Sequence, residues 1–279
     1  MMDILLFNPL SRNGKKEKII QSIVDHLEGK GNEVKTQNLL DITDVKAFLK
    51  TLDPHDRLIL VGGDGTLNRL ANKIYELDYP NPLYMYQAGT GNDFIRSLKT
   101  KEKVVLIKPY LKDLPTVTYE NQSQYFLNGT GAGLDGFIGY LVNHSKYKKN
   151  KLNYFRHAFE GFVKFKPIQA TVTYDGKSIT EKKVWFVSVM HAPYFGGGMK
   201  IAPKASRNER SLYVVMVKKI PKWLLIFIFP TIYLGWHVIF RRYVSIKRVE
   251  HVSIAFENDT YLQIDGDVMY PVKTFEARI

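Results

Sequence analysis

The residues best suited to chemistry are grouped around glycines. Gly62, Gly63, Asp64, Gly65, Thr66 and Asn68 follow an apolar run at residues 58–61 and precede a helical pattern. Glycines at such a junction let the backbone approach a ligand closely and adopt positive φ. The N–H groups they expose, with the N-terminus of the following helix, favour phosphate. Asp64 suits a ribose hydroxyl or a Mg2+ ion carried by a nucleotide, and Thr66 and Asn68 can donate to phosphate oxygens. The plainer alternative is a tight strand-to-helix turn capped by Asp64. Gly89, Thr90, Gly91, Asn92 and Asp93 repeat the arrangement at the next junction, where Asp93 as an N-cap is the plainer alternative. In a parallel sheet, adjacent junctions at strand C-termini line one crevice. The two loops together therefore indicate a nucleotide more strongly than either alone. Residues 8–15, with Asn8, Ser11, Arg12 and Lys15, would add a third rim.

Far downstream, Asp265, Gly266 and Asp267 follow a β-type run. Phosphoryl transfer to an alcohol needs neutralised phosphate charge and a carboxylate that accepts the hydroxyl proton. Two carboxylates around one glycine could divide those tasks, although a hairpin turn uses the same residue types. The pattern Gly-x-x-x-x-Gly-Lys-Ser/Thr does not occur, which excludes an ordinary P-loop ATPase. Gly129, Gly131 and Gly133 suggest a dinucleotide fingerprint only superficially, and the run reads as a strand exit or interdomain turn. His191 and His237 are isolated and read as structural; no His/Asp/Glu set has zinc spacing.

These residues need elements to hold them. Strand patterns at 4–7, 33–36, 58–61 and 83–86 alternate with helical spacing at 15–27, 43–49 (capped by Asp41 or Thr43), 67–77 and from Asp93. That rhythm predicts an open, mostly parallel sheet covered by helices. From about residue 104 it gives way to strands at 104–107, 116–120, 125–128, 168–174, 184–190 and 212–217, with a helix at 154–165. A strand pair at 249–256 and 260–264 is separated by Glu257, Asn258 and Asp259. The predicted division is 1–115, a nucleotide-binding α/β domain; 116–269, a β-rich domain carrying substrate and catalytic residues; and 270–279, a tail returning to the first domain.

At 279 residues and 45% hydrophobic composition, the chain can bury a large core. The absence of cysteine excludes disulfides and thiolate metal sites, and fits a reducing cytosol. Residues 1–7 reach Asn8 and Pro9 too soon for a secretory signal and read as a first strand. A net charge of +13 attracts anions: nucleotides, nucleic acid or an acidic membrane face. Residues 223–240 carry no formal charge with His237 neutral, and basic residues bracket them. A buried helix, an interfacial patch with Trp and Tyr at the headgroups, and a bilayer span interrupted by Pro230 and Gly235 are the three readings.

Asn8, Pro9 and Ser11, the loop from Gly62 to Asn68, and Gly89, Thr90, Gly91, Asn92, Asp93, Phe94 and Arg96 occur in one order. Gly196, Gly197, Gly198, Ala202, Pro203 and Ala205, then Gly235 with His237, and Asp265 with Gly266, continue it across almost the whole chain. On these residues the chain resembles the diacylglycerol kinase catalytic-domain family, which includes bacterial lipid kinases and sphingosine kinases. The resemblance implies an α/β N-terminal domain with a mostly parallel sheet, NAD-kinase- and diacylglycerol-kinase-like, a β-rich, mainly antiparallel second domain, and an active-site cleft between them. It implies ATP contacts from Asn8, Ser11, Thr36, Gly62, Gly63, Asp64, Gly65, Thr66, Asn68 and Thr90. Asp267 stands at the family's general-base glutamate, and Asp265 would orient the phosphoryl site or metal.

The sequence also departs from the family at particular residues. Asp267 is one methylene shorter than that glutamate, Arg69 replaces an acidic residue, Gln87 a proline and Arg12 a glycine. Glu209 and Arg210 fall where many bacterial members have Asp-Gly in a structural Mg2+ site; either Glu209 still ligates a cation or Arg210 supplies the charge. The expectation is an ATP- and Mg2+-dependent lipid kinase, cytoplasmic and peripheral on the inner face of an anionic membrane. No nucleic-acid partner is expected, and a homo-oligomer stays open. The alternatives are a kinase for a soluble alcohol or nucleotide, and a catalytically weakened nucleotide- or lipid-binding protein.

Overall fold

The computed structural model describes residues 1–9, 16–87, 92–146 and 151–279. The chain divides into two compact units, Met1–Lys112 and Asp113–Ile279.

Unit one is a five-stranded sheet in the order β2-β1-β3-β4-β5. Its strands are β1 (Met2–Phe7), β2 (Glu33–Asn38), β3 (Arg57–Val61), β4 (Leu83–Tyr86) and β5 (Val104–Leu106). The first four pair in parallel and β5 joins antiparallel to β4. Helices α1 (Lys16–Glu28), α2 (Val45–Lys50), α3 (Asp64–Ile74) and α4 (Asp93–Leu98) fill the connections. The apolar spacing of α1 sets Ile23 and Leu27 against Leu5, Ile59 and Val61 of the sheet. α2 is capped by Asp44, which accepts from the Ala47 N–H, rather than by Asp41 or Thr43. The cap must lie three residues before the amide it serves. Asp3 is fully buried at the start of β1 and receives two 2.6 Å bonds from Arg57 on β3, a bidentate pair that fixes the register of the central strands.

Unit two is antiparallel throughout its described pairings. Its strands are β6 (Thr116–Tyr119), β7 (Gln122–Tyr125), β8 (Gly129–Gly133), β9 (Ile168–Tyr174), β10 (Lys177–Met190), β11 (Leu212–Lys218), β12 (Val244–Val249), β13 (His251–Ile264) and β14 (Asp267–Arg278). The path runs β12-β11-β10-β8-β13-β14-β6-β7, and β9 pairs with both β10 and β13. Strands β8, β10, β9 and β13 thereby close a small barrel. Helices α5 (Leu134–Asn143), α6 (Lys151–Lys164) and α7 (Lys222–Ile228) belong to this unit. Strand β11 explains the layering. Leu212, Val214 and Met216 enter the core within the sheets, whereas Tyr213, Val215 and Val217 enter a second core shared with α5, α6 and α7. A strand buried on both faces needs an unbroken apolar run.

Several expectations are corrected. Residues 129–133 are no turn but the central strand β8, fully buried between β10 and β13. Its glycines are required by crowding: a Cβ on Gly131 would lie 2.5 Å from an Asp135 oxygen and 2.6 Å from Ser188 Oγ. Glu257, Asn258 and Asp259 do not separate two strands; they fall at a register irregularity inside the single long strand β13, whose partner is β14. Strand β7 ends at Tyr125, because Glu120 and Asn121 take positive φ and turn the chain back early. Residues 270–278, expected as a tail to the first domain, run in β14 between β13 and β6 of unit two.

Helix α5 lies close on β13 because it carries glycine at the contact. A Cβ on Gly136 would overlap the Tyr261 carbonyl, and one on Gly139 would stand 2.8 Å from Val268. Gly136→Ala is therefore expected to destabilise the chain by about 2–3 kcal/mol, the upper range for overpacking. A denaturation midpoint equal to wild type would show that this approach is not tight.

Candidate functional site

In unit one the register aligns the strand ends. Phe7 sits opposite Asn38 and Val61, and Val61 opposite Tyr86. Asn8, the Gly62 loop and the residues after Tyr86 thus leave the sheet at one edge. The Gly62 loop turns directly into α3, with Gly63 as its N-cap and no side chain capping it. Gly62 is needed for packing, since a Cβ there would be 2.8 Å from Thr66 Cβ. Gly63 and Gly65 are different: neither takes positive φ, and a Cβ on either would meet nothing within 4 Å. Folding alone does not require glycine at these two positions, and the space beside the α3 N-terminus is open.

Asp64, expected at a ribose hydroxyl or a Mg2+ ion, caps the next helix instead. Its two oxygens accept the backbone N–H groups of Asp93 (2.8 Å) and Phe94 (2.9 Å) at the start of α4. Asn92 is the N-cap of α4 and accepts from the Ile95 N–H at 3.2 Å. Asp93, the cap in the plainer alternative reading, is buried one residue further on. Thr66 and Asn68 are also buried, and the Asn68 side chain meets Asn72. Thr36 is exposed on β2. Ser11, Gly89, Thr90 and Gly91 lie outside the described residues, as do Arg12 and Lys15.

In unit two, Asp265 and Gly266 form the two-residue turn between β13 and β14, both with positive φ as such hairpins require. Asp265, expected to orient a phosphoryl group or metal, accepts the N–H groups of Leu127 (2.5 Å), Asn128 (2.9 Å) and Gly129 (3.2 Å). It acts as a clamp on the entry to β8. Arg207 braces the same segment, donating to the Leu127 carbonyl at 3.0 Å and to Asn128 Oδ1 at 2.7 Å. His191 donates to that carbonyl at 3.3 Å, and its burial beside Arg207 pushes its pKa down to about 3. It is a neutral, structural histidine. Asp267 opens β14 with an exposed side chain, two residues from the clamp.

A chain of hydrogen bonds leads inward from this turn. The Gly266 N–H donates to Gln263 Oε1 at 3.0 Å, and Gln263 Nε2 donates to Asp135 Oδ2 at 3.1 Å. Ser188 Oγ donates to the same Asp135 oxygen at 3.0 Å. Asp135 lines a cavity of about 60 Å3 with Ile138, Phe162, Leu225, Ile232 and His237 among its walls. Burial raises Asp135 to about 6, against the lowering effect of Ser188 and Gln263. A carboxylate kept in an apolar wall is a functional candidate. Sequence reading passed over Asp135, Gln263, Asn128 and Arg207. Asp135 had a local signal, a lone acid opening the apolar run Leu134, Phe137 and Ile138. Arg207 had none, because its partners are some 80 residues away.

Glu209, expected as a Mg2+ ligand, faces Arg248 at 3.2 Å and accepts from Tyr213. Among the described residues no three His, Cys, Asp or Glu side chains converge as a metal site.

Comparison with known proteins agrees with this architecture. The family described as "Diacylglycerol kinase catalytic domain" matches residues 3–112, and the "YegS C-terminal NAD kinase beta sandwich-like domain" matches residues 129–276. The diacylglycerol kinase of Bacillus subtilis (strain 168) is 25% identical over 275 residues, covering 94% of this chain and 88% of that protein. YtlR of the same strain, a candidate lipid kinase, is 30% identical over 192 residues, covering 61% of this chain and 62% of that protein. A crystal structure of a diacylglycerol kinase from Bacillus anthracis str. Sterne shares the fold at 18% identity, with a TM-score of 0.63 over 99% of this chain and 93% of that one.

The raised Asp135 has a consequence for stability. Between its ordinary value of 3.8 and about 6, the folded chain holds this proton and the unfolded chain does not. Wild-type stability should fall as pH rises through that window and level off above it, by an amount on the order of 2–3 kcal/mol. Asp135→Asn should flatten the window in melting experiments from pH 4 to 7. Parallel curves for the two proteins would contradict the buried-carboxylate assignment.

Proposed function

This chain belongs to the diacylglycerol kinase catalytic-domain and YegS-like lipid kinase family, and on that premise we propose that it transfers the γ-phosphoryl group of ATP to the hydroxyl of a lipid alcohol. The observation that carries the lipid reading is the hydrogen-bonded chain from Gly266 through Gln263 to Asp135. It links the turn that precedes the exposed Asp267 to the wall of an apolar cavity. Hydrocarbon suits that lining, and a soluble sugar or nucleotide acceptor gives it no task. The diacylglycerol kinase among the relatives supports the same substrate class.

ATP fits unit one by one structural test: Gly63 and Gly65 leave open space beside the N-terminus of α3 without packing or φ requiring it. Backbone amides there would hold phosphate oxygens. Asn8, Ser11, Thr36, Thr66, Asn68 and residues 89–93 are the further proposed contacts. Asp64 is a positioning residue, keeping the second loop's helix against the first. A Mg2+ ion would neutralise polyphosphate charge.

In unit two, Asp265 fixes the turn and Asp267 is the proposed base. Asp267 takes the proton of the acceptor hydroxyl as its oxygen bonds to the γ-phosphorus. The bond from that phosphorus to the β–γ bridging oxygen breaks, leaving ADP and a lipid phosphomonoester.

Incubating the purified chain with γ-labelled ATP, Mg2+ and extracted membrane lipids tests the assignment. Wild type should yield a labelled lipid. Asp267→Asn should lower its yield by roughly 10²–10⁴-fold at unchanged melting temperature. Gly63→Ala should raise the KM for ATP while leaving stability within about 0.5 kcal/mol. ATP turnover that ignores every lipid, or survives intact in Asp267→Asn, would reject the proposal.

A further inference from the structure

Residues 223–240 fold as three short pieces: α7, then 3-10 turns at Phe229–Tyr233 and Trp236–Ile239. Pro230 opens the second and Gly235, at φ 76°, separates it from the third. Among the described residues no helix is long and apolar enough to cross a membrane. The pieces nevertheless present apolar groups on two sides. Leu225, Ile228 and Ile232 face inward and line the cavity. Outward stand Trp223 (62% exposed), Phe227 (73%), Trp236 (60%) and Ile239 (68%), with Leu234.

Helix α6 repeats the pattern. Phe162 and Tyr154 line the cavity, while Phe155, Phe159 and Val163, spaced i, i+4, i+8, form an exposed stripe. The two stripes adjoin: Lys222 Nζ donates to the Val163 carbonyl at 2.7 Å, and Phe155 stacks on Tyr233 at 5.8 Å. A helix of a water-facing surface should be polar on its outer side. The outward side of α7 and the turns is apolar, and α6 adds its apolar stripe beside Arg156, Glu160 and Lys164; an exposed apolar patch of this kind marks a docking surface.

Its charge identifies the partner. From Ser211 to Val249 the chain has no Asp or Glu; Lys218 and Lys219 pair with Glu181 and Arg248 with Glu209, and Lys222, Arg241, Arg242 and Lys247 are its other charged residues. Arg241 and Arg242 are exposed directly after Ile239. A second copy would set this positive rim against itself. We propose that the outward face of α6, α7 and the two turns docks on an anionic bilayer, with its aromatic residues among the headgroups and Arg241 and Arg242 on lipid phosphates. Docking puts the segments that wall the cavity at the surface where a lipid acceptor resides; this last link, unlike the docking itself, rests on the lipid-kinase reading.

The full chain is tested without ATP on phosphatidylcholine vesicles with and without phosphatidylglycerol. Co-sedimentation should be much stronger on the anionic vesicles. Arg241→Gln with Arg242→Gln should weaken it by about 30-fold, and Trp236→Ser with Ile239→Ser should weaken binding to both vesicle types. Brominated lipid should quench wild-type tryptophan fluorescence. It should not quench Trp223→Phe with Trp236→Phe, whose remaining Trp185 is buried. Equal binding by all variants, unquenched fluorescence, binding of an oligonucleotide in preference to vesicles, or a dimer that shields Trp223 and Trp236 would each overturn the proposal. The docking variants should keep wild-type phosphorylation of a water-dispersed short-chain lipid alcohol. A chain that binds vesicles but phosphorylates no lipid would refute the kinase reading and leave the docking surface standing.

Discussion

A carboxylate accepting backbone N–H groups from a distant segment is the interaction on which both candidate sites depend. Asp64 holds the first two amides of α4, about 30 residues downstream. Asp265 holds three consecutive amides at the entry to β8, more than 130 residues upstream. Bonds of this kind are charge-assisted, and each contributes about 1.5–3 kcal/mol. They also occupy the amides of segments that would otherwise need other partners. At the second acid the neighbouring glycine is set by the turn, since Gly266 completes a hairpin at positive φ, whereas Gly63 caps α3 in an extended conformation that any residue adopts.

On the proposed assignment, positioning and chemistry fall to separate residues. Asp265 lies in the turn as an anchor, and Asp267, two residues on, is left exposed at the start of β14. The same turn is wired through Gln263 to Asp135 in the wall of an apolar cavity. Burial raises the Asp135 carboxyl, so its ionisation costs stability as pH rises, while its oxygens tie Ser188 and Gln263 to α5.

Much of this was legible in the sequence, and the failures have physical causes. The parallel strands of unit one read clearly because residues 58–61 of β3 are all apolar and the helices keep their spacing. Gly129 to Gly133 misled because five small residues resemble a turn, yet only glycine lets β8 pass beneath Ser188 and Met190. The irregularity within β13 resembled a hairpin because Glu257, Asn258 and Asp259 are turn formers. Asp64 and Asp265 were found as residues, but their roles were invisible. Nothing local records that their partners are amides brought in from elsewhere in the chain. Arg207 had no local signal at all, for the same reason.

Amide hydrogen exchange reads directly whether Asp64 couples the Gly62 loop and the start of α4 into one proposed nucleotide cradle. Exchange at residues 62–66 and 92–95 would be followed with and without a non-hydrolysable ATP analogue, in wild type and Asp64→Asn. In wild type both segments should slow together when the analogue binds, and in the variant residues 93 and 94 should exchange faster and no longer follow the first loop. Protection of one segment alone in wild type, or unaltered coupling in Asp64→Asn, would contradict that role for Asp64.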